Sequence, residues 1–400
     1  MPHLKVKPFD SNIIATHIAT STVMTFVATA IHTDDILIGI SHQDESFLLQ
    51  LKPDKEGFLL KYDKVTRPLK VNILKEALAI VAQELALEIQ SSNITISSTK
   101  VVPSSEYLKK IEDFVDIQYP KDTVSVEVGF GSGKHLLYQA QKNPDTLFIG
   151  LEIHTPSAQQ VLKQIALQNI QNIWVVNYDA RLFLEMLPSN LCKEIFVHFP
   201  VPWDKKPLRR VISKSFLSES MRVLAVDGRL ELRTDSDNYF WYALETFFSV
   251  PQTSVEIRKN EALEVTSKYE ARWLRQEKDI YDVYVKSKAL STQIKEPIVF
   301  DFYGIHYTEG IEETLAKEAL VYEGYFVHFE RIFRISAKRL LIKCAFGSFD
   351  RPEHKYVLLA EESCTYFVSP PVQTKVNLMA HEKLIMQFLP QHIALKDNNV

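Results

Sequence analysis

The sequence predicts an α/β protein with a mostly parallel central sheet and a smaller β-containing α+β region at each end. From residue 121 to 288, apolar strand-like runs alternate with helical stretches, which is typical of crossover units between parallel strands. From 1 to 120 and from 289 to 400, short apolar runs separated by Asp, Gly, Lys and Pro indicate antiparallel strands. We therefore expect an N-terminal α+β extension, a central catalytic or binding domain, and a C-terminal β-rich extension.

Within the two extensions, the pattern predicts individual elements. Four antiparallel strands are expected between residues 20 and 65, followed by a helix from Val71 to Ile89 with apolar residues at helical spacing. A β meander is expected from residue 297 onward, ending in a helical tail, KVNLMAHEKLIMQFL. The role of both extensions is left open.

The composition indicates a globular protein of a reducing compartment. Of 400 residues, 46% are hydrophobic and 24% are charged, which allows a sizeable core. The three cysteines, Cys192, Cys344 and Cys364, are too few for a disulfide framework and too far apart for a CxxC metal site. We expect a cytoplasmic protein without a metal, and the oligomeric state is left open.

The charge and the N-terminus narrow the class of partner. No signal-peptide pattern and no apolar run of about 18 residues are found, so no membrane partner is expected. The net charge of −4 argues against a globally basic nucleic-acid coat. It is compatible with a local basic patch.

Three of the chain's 11 glycines lie in the stretch VEVGFGSG. Gly129, Gly131 and Gly133 occupy alternate positions after a predicted strand, and a helix is predicted from about Lys134. Glycine at such positions lets the backbone approach a ligand closely and turn sharply. The same triplet is also consistent with a tight turn that only packs strand against helix.

Acidic residues end the next two predicted strands. Glu152 follows Gly133 by 19 positions, where a carboxylate holds a ribose diol in nucleotide-binding α/β folds. Asp179 ends the third strand, where it could accept from an adenine amino group. One acid at a strand end is often only a helix cap. The three features in this order nevertheless predict a nucleoside site at the carboxyl edge of the sheet.

The glycine spacing and Glu127 indicate which nucleoside ligand binds. The spacing G-x-G-x-G differs from the G-x-G-x-x-G that seats a pyrophosphate, which excludes a nicotinamide dehydrogenase. Glu127 lies two residues before Gly129 and would repel a pyrophosphate but attract an ammonium or a sulfonium. S-adenosylmethionine carries both groups and is the predicted cofactor.

The stretch FPVPWDKKPLRR, Phe199 to Arg210, follows the fourth predicted strand. From Asp204 to Arg222 the chain has six Lys or Arg residues against two acids, which suits a phosphate chain. The alternative is a solvated charged helix, although three prolines favour a shaped loop. Trp203 is either a packing anchor or a stacking surface for an extruded base.

Six motifs together resemble those of the bacterial tRNA (guanine-N7)-methyltransferase family. They are VEVGFGSGKHLL, FIGLEIH, NYDA, FPVPWDKKPLRR, LRTDSDNY and TSKYEARW, which occur in that order between about Thr123 and Lys288. The resemblance implies a class I methyltransferase (Rossmann-like) fold with a seven-stranded sheet whose last strand is antiparallel. It also implies methyl transfer from S-adenosylmethionine to N7 of guanosine 46 in the variable loop of tRNA.

The resemblance also implies roles for individual residues. Glu127, Glu152 and Asp179 correspond to cofactor contacts, beside the three glycines. Contacts to guanosine and tRNA correspond to Lys205, Asp235, Ser267, Lys268, Tyr269 and Glu270. Lys205 and the two following arginines, Arg209 and Arg210, are expected to face tRNA.

Two positions depart from the family motifs. Ser267 stands where the family has a threonine and keeps the hydroxyl. Val201 stands where the family has an aspartate that is proposed to be catalytic. Guanine N7 has a free lone pair, so positioning matters more than a general base, and no catalytic residue is assigned. We expect Asp235 and Glu270 to hold the guanine edge instead, with Asp204 as a further candidate.

Two rival functions remain open. Val201 is compatible with a non-catalytic tRNA-binding protein that has a degenerate site, but the intact glycines and acids argue against it. Methylation of a different RNA at N7 is the other alternative. His135, His154 and His198 lie in different elements and are interpreted as structural.

Overall fold

In the computed structural model, the described residues are 2–68, 70–94, 106–249, 251, 253–262, 264, 278–293 and 298–389. The chain forms two compact units. One combines residues 1–100 with 298–371 and 375–400, and the other comprises 101–297 and 372–374. The two extensions are predicted as separate regions. In the structure they belong to one unit, here called the composite unit. The other is called the central unit.

The N-terminal part of the composite unit contains short helices and antiparallel strands. In chain order they are β1 (His3–Val6), α1 (Ile13–His17), β2 (Met24–Ala30), β3 (Ile36–His42), β4 (Glu45–Asp54), β5 (Gly57–Tyr62), α2 (Val71–Glu84) and β6 (Ile89–Ser92). Strands β2 to β5 pair antiparallel in sequence order, which confirms the predicted run. Helix α2 ends before the predicted Ile89, because Ala86 has a φ of 48° and Ile89 begins β6.

The central unit alternates strands and helices as predicted. In chain order they are β7 (Leu108–Lys109), β8 (Thr123–Val128), α3 (Lys134–Lys142), β9 (Thr146–Leu151), α4 (Thr155–Gln168), β10 (Ile173–Val176), α5 (Ala180–Met186), β11 (Cys192–His198), α6 (Lys214–Val223), β12 (Leu224–Thr234), α7 (Asp237–Phe247), β13 (Thr253–Lys259) and β14 (Tyr281–Ser287).

The strands of the central unit form one mixed sheet in the order β13-β14-β12-β11-β8-β9-β10-β7. Strand β14 is antiparallel to both β12 and β13, and the other neighbours are parallel. The family resemblance implies seven strands, whereas the described residues form eight. The additional strand is the two-residue β7, which is too short to give a sequence pattern.

Helices cover both faces of the central sheet. Leu136, Val161 and Ile165 from α3 and α4 pack with Phe148 on one face. On the other face, side chains of α5, α6 and α7 pack against alternate residues of β8. Because both faces are buried, the strands read as continuous apolar runs. This arrangement brings the carboxyl ends of β8 to β12 to one edge, where open α/β sheets bind ligands.

The first turn of helix α4 is tied to a neighbouring segment. His154 occupies the N-cap position of α4. Thr155 lies in the first turn, where its Oγ1 donates a hydrogen bond to Asn177 Oδ1 at 2.8 Å. Its hydroxyl is therefore used to join α4 to the segment after β10 instead of capping the helix.

The C-terminal part of the composite unit is the predicted meander. Its elements are α8 (Ile311–Thr314), β15 (Leu320–Tyr322), β16 (Tyr325–Ser336), β17 (Arg339–Ser348), β18 (Glu353–Leu359), β19 (Cys364–Phe367) and α9 (Lys375–Met386). Strand β16 pairs with β2 through Phe333 and Ala30. This pairing joins the two ends of the chain into a sheet of eleven strands among the described residues. None of the helices in the described part of the chain combines the length and apolar character that a membrane crossing requires.

Candidate active site

The three glycines form an open loop between β8 and α3, here called the glycine loop. Gly129, Gly131 and Gly133 have φ angles of 68°, 52° and 70°, which L side chains rarely adopt. A Cβ atom on Gly129 would have no neighbour within 4 Å, and one on Gly131 would meet only the Gly129 carbonyl oxygen at 3.9 Å. A Cβ on Gly133 would lie 2.3 Å from Val161 Cγ2. The first two glycines thus leave space beside the backbone, and the third packs against α4.

Glu152, for which the sequence predicts a ribose contact, is held against the glycine loop. The side chain is 8% exposed, and its Oε2 accepts a hydrogen bond from the Gly131 backbone N–H at 2.9 Å. Its Oε1 accepts from the His154 backbone N–H at 2.8 Å. Two backbone donors therefore fix the orientation of this carboxylate at the end of β9.

Glu127 belongs to a buried cluster of titratable side chains that sequence reasoning missed. Its Oε2 lies 2.8 Å from His135 Nδ1, and the centres of the His135 and His198 rings are 4.4 Å apart, with the ring planes tilted by 52°. His198 Nε2 in turn lies 2.9 Å from Glu231 Oε1. The two histidines thus connect a carboxylate on β8 to one on β12.

Strand register explains why these four side chains meet. Phe196 on β11 lies opposite Glu127 on β8 and opposite Glu231 on β12. His198 follows Phe196 by two positions and so points to the same face of the sheet. The signal in the sequence is an alternation of polar residues along strands that are adjacent in the sheet. It can be recognised only when the order of the strands is known.

The buried cluster shifts the protonation of two of its members. Burial opposes a charge on His135, but the nearby carboxylates, Glu127 first, outweigh it and raise the pKa of the imidazole. Burial also disfavours the charged form of Glu231, but the hydrogen bond from His198 and nearby positive charges hold its pKa below the usual value. Within the described ranges, no group of His, Cys, Asp and Glu side chains is arranged to hold a metal ion.

Asp179 caps a helix in this structure. Its Oδ1 accepts from the Arg181 backbone N–H at 3.0 Å at the start of α5. Its Oδ2 pairs with the Arg181 guanidinium at 2.7 Å, and its side chain is 34% exposed. The capping interpretation that the sequence left open therefore describes what Asp179 does here, at the carboxyl end of β10.

The loop from Phe199 to Arg210, here called the basic loop, is anchored by its last residue. Arg210 is 7% exposed, its Nε donates to the Pro202 carbonyl at 2.8 Å, and its guanidinium lies 4.4 Å from the ring centre of Tyr242. The prediction that Arg210 faces tRNA is wrong, because its guanidinium is buried and holds the loop through the Pro202 carbonyl and the Tyr242 ring. Arg209 is exposed, as predicted.

Most of the remaining side chains of the basic loop are open to solvent. Val201 is 60% exposed and Trp203 is 37% exposed, and the Arg209 guanidinium lies 5.1 Å from a Trp203 ring centre. Lys205 is exposed. Val201 therefore has no packing role that would explain why it replaces an aspartate.

Asp235 follows β12 at the same edge of the sheet. Its Oδ2 pairs with Lys278 Nζ at 3.1 Å, and its side chain is 19% exposed. Arg233 on β12 lies opposite His198, the last residue of β11. Asp235 therefore lies just beyond the ends of both strands. The predicted tRNA segment Ser267, Lys268, Tyr269 and Glu270 lies outside the described residues.

Several known proteins are similar to this chain in sequence. A family model described as “Putative methyltransferase” matches residues 121–283. A curated tRNA (guanine-N(7)-)-methyltransferase of Wolinella succinogenes is 40% identical over 366 residues, covering 90% of this chain and 92% of that protein. Proteins of the same name from Campylobacter jejuni and Helicobacter pylori are 38% and 40% identical, covering 87% and 88% of this chain.

These alignments extend well beyond the central unit. Because 90% of the chain aligns with the Wolinella protein, most of the residues outside 121–283 have counterparts in it. The composite unit is therefore shared with similar proteins and is not an addition peculiar to this chain.

Proposed function

The chain belongs to the tRNA (guanine-N7)-methyltransferase family, and on that premise we propose that it transfers the methyl group of S-adenosylmethionine to N7 of guanosine 46 in tRNA. One observation carries the proposal. The carboxyl edge of the sheet that holds the open glycine loop and Glu152 also carries the exposed basic loop after β11. A site for a cationic nucleoside and a surface for a phosphate chain thus lie on the same edge.

The glycine loop fits the cofactor. Side chains at Gly129 and Gly131 would fill the space beside the backbone that a ligand needs. The fixed carboxylate of Glu152 suits a ribose diol, and Asp179 suits the adenine amino group. Glu127 supplies the negative charge for the ammonium or sulfonium. When bound, the cofactor supplies an electrophilic methyl group on a positively charged sulfur.

The chain's own residues are proposed to position the guanine and not to remove a proton. The N7 lone pair is free before attack, so correct placement provides most of the acceleration. Asp235 and Glu270 are proposed to accept from the guanine N1–H and amino group and to stabilise the positive charge that develops on the base. Val201 does not prevent this chemistry, because neither step requires a general base at that position.

The tRNA contacts are proposed on the exposed cations of the basic loop and on the later motif. Lys205 and Arg209 are exposed and suit backbone phosphates. Ser267, Lys268, Tyr269 and Glu270 are proposed to complete the surface, as the family motif implies. The protein is proposed to act in the cytoplasm, where tRNA is available.

The test is methyl transfer by the full-length protein. Purified protein is incubated with cofactor labelled in the methyl group and an unmodified tRNA transcript, and the product is mapped by nuclease digestion. We expect one labelled N7-methylguanosine at position 46, and a transcript with adenosine at that position should stay unlabelled. Label at another guanosine would favour a different RNA site, and tRNA binding without label would favour the non-catalytic alternative.

A further inference from the structure

A large cavity lies within the composite unit, whereas the sequence motifs of methyl transfer belong to the central unit. Its volume is about 750 Å³, and every residue that lines it is among the described residues. Side chains of β1, β4 and β5 from the N-terminal part and of β16, β17 and β18 from the C-terminal part contribute to the lining. The cavity therefore depends on the pairing of β2 with β16, which joins the two parts of the composite unit in one sheet.

The lining is strongly basic. Six cationic side chains lie in it against two acidic ones, Asp63 and Glu330, and the cations are Lys5, Lys52, Lys61, Lys64, Arg331 and Lys343. A cavity of this volume is of the size that holds ligands. Its excess of positive charge selects for an anion.

Both acidic residues of the lining are already engaged. Asp63 accepts hydrogen bonds from the Val65 backbone N–H at 2.9 Å and from the Tyr356 hydroxyl at 3.1 Å. Glu330 pairs with Lys343 at 3.1 Å and with His354 at 3.2 Å. Three further cations pair with carboxylates outside the lining, Lys5 with Asp54 at 3.0 Å and both Lys52 and Arg331 with Asp35. Lys61 and Lys64 remain.

Lys61 and Lys64 carry most of the uncompensated charge. Neither lysine has an ion pair with a carboxylate of any described residue, whereas Lys52 pairs with Asp35 at 3.4 Å. Burial and the charges of Lys52 and Lys64 lower the pKa of Lys61. An anion in the cavity would relieve this repulsion.

The cations are spaced along adjacent strands. Lys61 on β5 lies between His3 on β1 and Gln50 on β4. Two positions earlier on β5, Leu59 lies between Lys5 and Lys52. Since neighbouring strands are about 4.8 Å apart, the cations form a row several ångströms long, which suits several phosphates in sequence more than a single one.

The cavity lacks exposed rings for stacking on bases. Tyr62, Phe333 and Tyr356 are the aromatic residues of the lining, and they are 5%, 1% and 1% exposed. Single-stranded sites that read bases use exposed aromatic platforms. The chemistry available here is therefore charge recognition of phosphates, which does not depend on base sequence.

We propose that this basic cavity binds phosphate groups of an RNA backbone. The inference rests on the proposed function in one respect, because tRNA is then the RNA that the protein must hold. Contacts in the composite unit would add affinity for tRNA without taking part in methyl transfer. Free phosphate or a small phosphorylated molecule offers the same chemistry and is distinguished by the experiment.

The test reverses the two uncompensated charges in the full-length protein. In Lys61→Glu/Lys64→Glu, the tRNA dissociation constant should rise at least tenfold at about 0.1 M salt, and the slope of log K against log salt should fall by about 1.4 to 1.8. The matched control is Lys70→Glu/Lys317→Glu, which makes the same charge change at exposed positions of the same unit outside the cavity. The control should change affinity less than about twofold.

Further measurements keep the result interpretable. Lys61→Gln/Lys64→Gln should show the same direction with a smaller change, and it carries the test if the reversed variant does not fold. Affinity for S-adenosylmethionine should stay at the wild-type value in every variant. Equal tRNA affinity and salt slope in the wild type and both cavity variants overturn the proposal.

Inorganic phosphate separates the two sources of phosphate. Binding of inorganic phosphate that the cavity variants lose, together with unchanged tRNA affinity, overturns the RNA assignment in favour of a small phosphorylated ligand. Failure of the proposed function is seen separately. Cavity-dependent tRNA binding without methylation at position 46 would refute methyl transfer and leave the cavity proposal standing.

Discussion

The Gly131 backbone N–H donates a hydrogen bond to Glu152 Oε2 at 2.9 Å, which ties the loop after β8 to the end of β9. The bond fixes two parts of the proposed cofactor site with one contact. It holds the glycine loop in its open conformation, and it leaves Glu152 oriented by a second backbone donor, the N–H of His154. Pre-organisation of this kind reduces what binding must order.

Removing the charge of Glu152 tests this contact. Glu152→Gln keeps the size of the side chain but loses charge-assisted hydrogen bonds, which are typically worth about 1.5–3 kcal/mol. We expect the dissociation constant for S-adenosylmethionine to rise roughly ten- to a hundredfold by calorimetry. The exposed Glu245→Gln in the same unit is the control and should bind normally. Unchanged affinity in Glu152→Gln would remove this residue from the cofactor site.

The glycines should separate stability from binding. Gly133→Ala puts a Cβ 2.3 Å from Val161 Cγ2, so overpacking of about 1–3 kcal/mol adds to the strain of a positive φ. Gly129→Ala has open space around its Cβ and should lose only about 1–2 kcal/mol of unfolding free energy. It should, however, weaken cofactor binding more than Gly133→Ala does at a temperature where both are folded. Equal losses of stability in denaturant titrations would contradict this assignment.

Cofactor affinity should depend on pH through His135. Burial opposes a charge on His135, but Glu127, with Glu231 and Glu194 adding to it, raises its pKa above the ordinary 6.5, and the His198 ring lies in contact with it. At low pH the imidazolium offsets the charge of Glu127, and the cationic cofactor is attracted less. Affinity should therefore increase several-fold as pH rises from about 6.5 through the raised pKa of His135 in the folded protein.

His135→Gln provides the check on this pH dependence. The variant should show a flat affinity profile over the same range, whereas exposed His306→Gln should keep the wild-type slope. The stability change has the opposite sign to the affinity change. The raised pKa stabilises the folded state below about pH 6.5, and this contribution is lost as pH rises through the folded value. A wild-type slope in His135→Gln would show that another group titrates.

Asp235 should matter for catalysis more than for tRNA binding. Asp235→Ala removes a proposed acceptor for the guanine edge, so kcat should fall roughly tenfold or more while tRNA affinity stays within about twofold. Asp145→Ala, at an exposed position before β9, serves as the control. Near-wild-type methylation with unchanged tRNA affinity in Asp235→Ala would end the idea that this carboxylate compensates for Val201.

Local patterns predicted that the glycines and Glu152 follow strands at the carboxyl edge of the sheet, because these positions depend on one turn and the strand next to it. The buried cluster of Glu127, His135, His198 and Glu231 depends on the order of three strands in the sheet. A local sequence pattern does not predict that order. The pairing of β2 with β16 joins segments near opposite ends of the chain. For the same reason, the basic cavity could not be predicted.

Arg210 shows a second limit of sequence reasoning. The spacing of basic residues in the loop gave no way to separate Arg209, which is exposed, from Arg210, which is buried over Tyr242. Asp179 is similar, since a carboxylate at a strand end caps a helix or holds a ligand with the same sequence pattern. Both distinctions depend on which neighbours the fold supplies.

A single atom of the substrate tests the central claim most directly. A tRNA with 7-deazaguanosine at position 46 has a C–H group in place of N7 and keeps the rest of the base. The proposed function predicts that methyl incorporation falls to background in this tRNA while its affinity for the protein is unchanged. Methylation at the rate of the guanosine-46 tRNA would contradict the claim that the protein delivers the methyl group to N7 of that residue.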